Sequence, residues 1–480
     1  MKLFIEQACV VIILAFFLIL QINAISKGNY AGQDFERHCA NIRESAQNPG
    51  QALVTPFGNG RSPATLYHWI GGRLYNIVGE PSIWPLLALL NLTANTAALL
   101  LFYLLIRRVV SLLLVRLSCF IFITFLPLMV ITSMVIAPDA FTALIFAAIL
   151  WTLIVIVERL KTKKPAFGRE VCAGSLLVAA FLIKFIYGFC LIATVLAGLI
   201  LWRCGVLDKK QLWSAFVTII LIPLAICVLC FFLFVRYQEN VDLFAGNEVP
   251  DRSHMSMQSI FFFKANDRAL LGAPFFHQVF VVKGEGAFRP FHVDDFFSYP
   301  AMLHLAVFTD FLNIDQPILY PSHMKGMVDE YYTRVRTLEN QKRMRLAVHS
   351  GLLFFLAMIV AVAGLLLTTI RWFLARTAPD IPVMILLVLS LTLFLGMSFG
   401  LPFIMWPCLN GVWLPRHIMP AIISFAVCLF VVLDRTVVHK APWAQGVICA
   451  MVIAQSALHF SFLWVTPVTF RLIGALPLHG

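Results

Sequence analysis

The chain has 480 residues, of which 60% are hydrophobic and 12% charged, with a mean hydropathy of +0.88. Soluble domains carry about 25% charged residues, so this composition excludes an ordinary soluble protein and points to a polytopic membrane protein. A net charge of +12 would suggest nucleic acid in a soluble chain. Here short basic loops facing anionic lipid account for it, and no nucleic-acid partner is expected. The cysteines show no paired CxxC or Cys/His spacing, so the usual zinc signatures are missing.

The first apolar run, 3–24, is longer than a signal-peptide core and lacks a good cleavage site, which makes it a retained anchor. A polar stretch follows from Gly32 to Trp69, carrying Asp34, Glu36, Arg37, His38, Arg43 and Glu44. Toward its end Leu66, Trp69, Ile70, Arg73 and Leu74 recur at helical spacing, with Tyr67 and His68 on the other side. That is the pattern of a short amphipathic helix lying at the interface, roofing a site rather than spanning.

Runs of about twenty apolar residues then place spans at 83–106, 109–134 and 140–157. The next run, Val171 to Trp202, is too long for one span and short for two. Its flanks are basic on both sides: Arg159, Lys161, Lys163, Lys164 and Arg169 before, Arg203, Lys209 and Lys210 after. Cationic loops stay in the cytoplasm, so the run crosses twice, with Lys184, Tyr187 and Gly188 at the turn near the outer face. Further spans at 212–235, 348–370, 382–400, 418–433 and 446–465 bring the expected total to about eleven, with the N-terminus inside. Arg116, within the third span, has no evident role at this level.

Residues 236–346, between spans seven and eight, far exceed the roughly 12–15 residues of a long ordinary connection. Aromatic pairs such as Phe275-Phe276 and Tyr331-Tyr332 suggest a folded outer layer or lid. The expected fold is thus an all-α integral membrane protein: spans one to seven (1–235) with an outer loop at 25–80, the long outer segment (236–346), and spans eight to eleven (347–480).

This topology puts ionisable groups from distant segments at one level. Asp34, Glu36 and His38 belong to the first loop, Asp139 follows Ala137-Pro138, Lys184 marks the double-crossing turn, and Arg416 and His417 precede span ten. Charge at the edge of a bundle is costly unless paired, which makes such a gathering a candidate site. Each residue also has a plainer reading. Asp34 and Glu36 fit a solvated loop face, Asp139 a helix cap, Lys184 and Arg416 interfacial anchors, and His38 and His417 hydrogen-bonded structural histidines.

The ordered set resembles the GT-C superfamily of polytopic membrane glycosyltransferases. Its elements are an acid soon after span one, Pro63-Ala64-Thr65-Leu66-Tyr67-His68-Trp69 before span two, Pro138-Asp139 at the next outer turn, Lys184 within the double-crossing run, and Leu414-Pro415-Arg416-His417-Ile418-Met419-Pro420-Ala421. The family often shows His-Pro-Pro-Leu-Tyr-Tyr where this chain has Ser62-Pro63-Ala64-Thr65-Leu66-Tyr67. The resemblance implies inverting transfer of a hexosyl or pentosyl unit from a polyprenyl-phosphate donor to a lipid, glycan or protein acceptor. It also implies a bacterial inner-membrane location with a periplasmic site.

By the same resemblance Asp34 is the catalytic base toward the acceptor hydroxyl; spacing alone leaves Asp34 and Glu36 both open. Glu36, His38, Tyr67, Asp139, Lys184, Arg416 and His417 are the implied substrate-binding residues. Lys184 and Arg416 suit a lipid phosphate, as a point charge and a bidentate donor. Asp139 with Glu36 or His38 could hold sugar hydroxyls or a divalent cation. The rival class is a transporter or flippase of lipid-linked sugars, which would put polar residues on broken helices near the midplane of two related halves.

Overall fold

The structure is a computed structural model and describes residues 2–26, 35–47, 66–226, 228–229, 262–263, 297–298, 303–304, 307–308, 338–400, 415–439 and 441–464. Asp34, Phe275, Phe276, Tyr331 and Tyr332 lie outside the described residues.

The chain is an all-α polytopic membrane protein; the described residues add only a two-residue antiparallel pairing of Phe262–Phe263 with Phe297–Ser298. Its helices are α1 (Lys2–Ser26), α2 (Phe35–Gln47), α3 (Leu66–Val78), α4 (Ile83–Val109), α5 (Leu113–Thr124), α6 (Pro127–Met134) and α7 (Asp139–Lys161). They continue with α8 (Phe167–Ile183), α9 (Phe189–Arg203), α10 (Lys209–Phe216), α11 (Leu338–Ala375), α12 (Ile381–Leu395), α13 (Met419–Val432) and α14 (Ala444–Leu463). Among the described residues eight helical stretches are long and apolar enough to cross a bilayer, or nine when the bent pair α5–α6 counts as one.

That pair is where the expected single span 109–134 breaks, by 52°. Pro127 has no N–H to donate and its ring crowds the preceding turn, so the helix cannot run through. A carbonyl left over at such a break needs another donor. His459 of α14 bonds the Phe125 carbonyl through Nδ1 at 3.0 Å, and Gln455 sits against its Nε2 at 2.7 Å.

Charge sorts the bundle into two ends. At the basic end Arg108 pairs with Glu158 at 2.7 Å and Arg435 with Asp380 at 2.5 Å. The Asp434 carboxylate accepts from Ser111 N and Oγ, both at 2.8 Å, and from Leu112 N at 3.2 Å, so it caps the start of α5. Arg116 finds its explanation here. Its Nη2 donates to Glu6 at 3.2 Å, Arg107 approaches Glu6 at 3.5 Å, and the Tyr103 hydroxyl donates to Glu6 as well. The opposite end gathers α2, α3, the turn before α7, the α8–α9 junction and the start of α13. The 27 residues of α4 set the two ends about 40 Å apart at 1.5 Å per residue.

The run 171–202 does go out and back. α8 leads from the basic end to Lys184, a 3₁₀ turn spans Phe185–Gly188, and α9 returns. The Cys204 thiol meets the Trp372 carbonyl at 3.5 Å and Gln211 Nε2 donates to Leu160 O at 2.9 Å, which fixes the return at the basic end. With 17 and 15 residues, these helices extend about 26 and 22 Å, less than the roughly 30 Å hydrocarbon core. Lys184 is therefore delivered short of the far surface, where a lone ammonium would be costly.

The segment between α1 and α4 supplies a layer of two short helices over one end of the bundle. α2 and α3 pack on the top of α4, burying Cys39, Ile42, Tyr67, Ile83, Trp84, Leu87 and Ile136 together. In α3 Tyr67, His68, Gly71 and Gly72 point inward, Leu66 and Leu74 pack against the core and Ile77 is 78% exposed. Small residues mark where helices meet closely. A Cβ on Gly72 would lie 2.7 Å from Ala46 N and 2.8 Å from the Ser45 carbonyl carbon, so only glycine permits this contact.

Candidate functional site

Three separate segments meet beneath that layer. Asp139 is the first residue of α7, directly after Pro138 at the N-cap. Lys184 Nζ donates to its Oδ1 at 2.6 Å. The same ammonium donates to Nδ1 of His417, in the 3₁₀ turn Pro415–Ile418 that leads into α13. His417 Nδ1 is 3.9 Å from Asp139 Oδ1, so the three groups form a closed triangle. Side-chain exposures of 3%, 14% and 12% for Asp139, Lys184 and His417 leave it largely desolvated. Because Nδ1 accepts, the proton of a neutral His417 resides on Nε2.

The surroundings hold this triangle rigidly. Tyr187, buried in the α8–α9 turn, donates to the His417 carbonyl at 3.1 Å, and the Thr142 hydroxyl donates to the Asp139 carbonyl at 2.6 Å. The irregular segment before α7 is held by Asn91 of α4, whose Nδ2 donates to Val135 O at 2.5 Å and to Ala137 O at 3.2 Å. Asn91 also reaches the Tyr67 hydroxyl at 3.4 Å, which connects that layer to the site floor. Burial raises the Tyr67 phenol above its ordinary range, so it remains protonated.

Above Tyr67, His38 of α2 and His68 of α3 stack with ring centroids 5.1 Å apart and share a hydrogen bond of 2.8 Å between Nδ1 and Nε2. Burial, then the neighbouring His38, depresses His68 well below its ordinary 6.5. The unfolded chain therefore takes up a proton at His68 that the folded chain refuses. Stability is retained above pH 6.5 and falls below it, by up to about 1.4 kcal/mol per pH unit from this group. Thermal unfolding followed from pH 7.5 to 5.0 is expected to show this decline, and His68→Gln to flatten it. An unchanged pH slope in the variant would count against the assignment.

Of the residues singled out by sequence, the structure joins Asp139, Lys184 and His417 directly and places Tyr67 and His38 in the layer over them. Asp34 is outside the described residues. Glu36 and Arg416 lie on described helical turns, but their side chains are outside the description. Sequence reading missed His68, Asn91 and Tyr187 as parts of this assembly. Asn91 had a visible signal, a buried amide in an apolar span, and His68 had its place beside Tyr67 on the non-apolar side of α3. Among the described residues no three His, Cys, Asp or Glu side chains converge as metal ligands. At Asp139 the Lys184 ammonium occupies the position a cation would take.

A helical bundle with a layer of short helices after its first span and a charged cluster beneath it is a fold shared with solved membrane-protein structures. Its structure is similar to the Archaeoglobus fulgidus oligosaccharyltransferase in the apo form, with a TM-score of 0.51 at 14% identity, covering 96% of this chain and 56% of that one. The chain thus spans little more than half of that enzyme's length. It is also similar to ArnT from Cupriavidus metallidurans in the apo state, with a TM-score of 0.48 at 14% identity over 98% of this chain and 78% of that one. The same ArnT bound to undecaprenyl phosphate gives 0.43 at 14% identity, over 97% and 77% of the two chains. No protein-family model matches the sequence and no curated protein is similar to it.

Proposed function

We propose that the chain is an inverting membrane glycosyltransferase that moves one sugar from a polyprenyl-phosphate donor to a lipid, glycan or protein acceptor. The observation that carries this reading is the Asp139–Lys184–His417 triangle: a desolvated cation held between a carboxylate and an imidazole. Positive charge in a low-dielectric site suits the phosphate that departs when the sugar–phosphate bond breaks, because it needs no reorganisation as charge develops. Asp139 keeps Lys184 charged between turnovers, and Tyr187 fixes the backbone that carries His417. Asp34, with Glu36 as the alternative, takes the acceptor proton as the acceptor oxygen bonds to the anomeric carbon. The lid of α2 and α3 excludes water that would otherwise intercept the activated sugar. The basic end faces the cytoplasm by the positive-inside rule, which directs the site outward to the periplasmic face of a bacterial inner membrane.

The α5–α6 break favours a second reading, a transporter of lipid-linked sugars, since broken helices are common at transport sites. Purified protein assayed with a panel of polyprenyl-phosphate sugars and membrane-extract acceptors separates the two. Transfer by the wild type, with at least about a hundredfold loss in Asp34→Asn and retained donor binding, supports the enzyme. Translocation of the lipid-linked sugar across liposomes with no transfer supports the transporter.

A further inference from the structure

At the basic end, far from the triangle, α7, α9, α10 and the π-helical turn Val217–Leu221 enclose a cavity of about 390 Å³. This volume is within the roughly 300–1,000 Å³ of small-ligand pockets. Its wall is aliphatic and aromatic except for Thr194 and Lys209, and the Thr194 hydroxyl is already bonded to Cys190 O at 2.7 Å. Water entering would find no partners, so the occupant must be apolar over most of its length. Gly198 forms part of the wall, with a built Cβ only 3.2 Å from Leu212 Cδ1. The π turn contributes Ile219 and Ile220; such local widening of a helix recurs at functional sites.

The rim of the opening carries residues suited to a lipid headgroup region. Trp202 and Trp213 are 46% and 63% exposed, as indoles at a membrane interface are. Lys209 stands at the mouth with Lys210 beside it, and among the described residues Lys209 makes no ion pair or hydrogen bond. The neighbouring Asp208 carboxylate is turned to the start of α10, where it accepts from Gln211 N at 2.8 Å, and forms no ion pair with Lys209.

We propose that this cavity holds an acyl chain of an anionic phospholipid whose phosphate rests on Lys209 and Lys210. Two lysines with no ion-pair partner among the described residues, at the mouth of an apolar cavity, complement a lipid that is negative at one end and hydrocarbon at the other. The site is independent of sugar transfer and would tie α9 and α10 to α7 through a resident lipid.

Native mass spectrometry of delipidated protein titrated with phosphatidylglycerol or phosphatidylcholine tests it. Phosphatidylglycerol is expected to bind several-fold more tightly. Lys209→Gln, an exposed substitution, is expected to weaken it about fivefold and leave phosphatidylcholine unchanged. Gly198→Leu, which fills the wall, is expected to weaken both lipids; the lysine variant alone decides the matter where the leucine variant fails to fold. Equal affinity for the two lipids would overturn the proposal, as would an unchanged preference in Lys209→Gln. Displacement of phosphatidylglycerol from this site by equimolar polyprenyl phosphate would overturn the choice of a phospholipid as occupant.

Discussion

Lys184→Met is expected to destabilise the protein by about 3–5 kcal/mol and to reduce sugar transfer by about a hundredfold or more. Removing one member of a buried pair leaves the other as an uncompensated charge. Asp139, at 3% side-chain exposure, has no water to turn to. On the proposed function, the rate loss follows from taking away a preorganised cation where charge would develop on the leaving phosphate. The two effects separate in the double variant Asp139→Asn with Lys184→Met. Stability in detergent, read from thermal unfolding, should largely recover because no charge is left unpaired. Transfer should not recover, because the cation is still missing. Recovery of transfer together with stability would show that Lys184 acts only as a structural counterion.

The second large effect belongs to the other end of the bundle. Glu6→Leu should cost about 3–5 kcal/mol, since Arg116 is 17% exposed and loses its carboxylate while surrounded by packed helices. Arg107, at 39% exposure, can extend toward the interface and suffers less. Activity per folded molecule should stay near the wild-type level, because the length of α4 separates Glu6 from the triangle. Combining Glu6→Leu with Arg116→Met should restore much of the lost stability. Large loss of transfer in folded Glu6→Leu protein would contradict this separation.

The residues of the triangle were legible in sequence for different reasons. Lys184 was legible because an apolar run with basic flanks on both sides can satisfy the membrane only by turning back, and the lysine marked the turn. Asp139 followed from Pro138 at the start of an apolar run, where a helix cap and a site acid look alike in sequence; its carboxylate accepts from Lys184. His417 was expected beside Arg416 at one level of the membrane, but its contact with Lys184 spans 233 residues of sequence, and no local pattern encodes such a distance. The α5–α6 break was hidden because hydropathy is blind to a missing backbone donor; Pro127 was the signal. Arg116 was opaque because its partner Glu6 lies in the first apolar run, where an isolated acid carries no periodicity. α3 is not cleanly two-sided: Tyr67 and His68, set opposite its apolar stripe, are the buried ones, while Leu66 and Leu74 of the stripe also pack against the core.

The 233 residues between Lys184 and His417 are also an interval of time. At about 5–20 residues per second, the ribosome needs on the order of ten to fifty seconds to supply the histidine after the lysine has emerged. Asp139 precedes Lys184 by 45 residues, so the carboxylate is already waiting when the ammonium arrives. A half-built bundle can thus rest in the bilayer with a neutral pair rather than two isolated charges. The triangle closes only once the turn leading into α13 has been inserted.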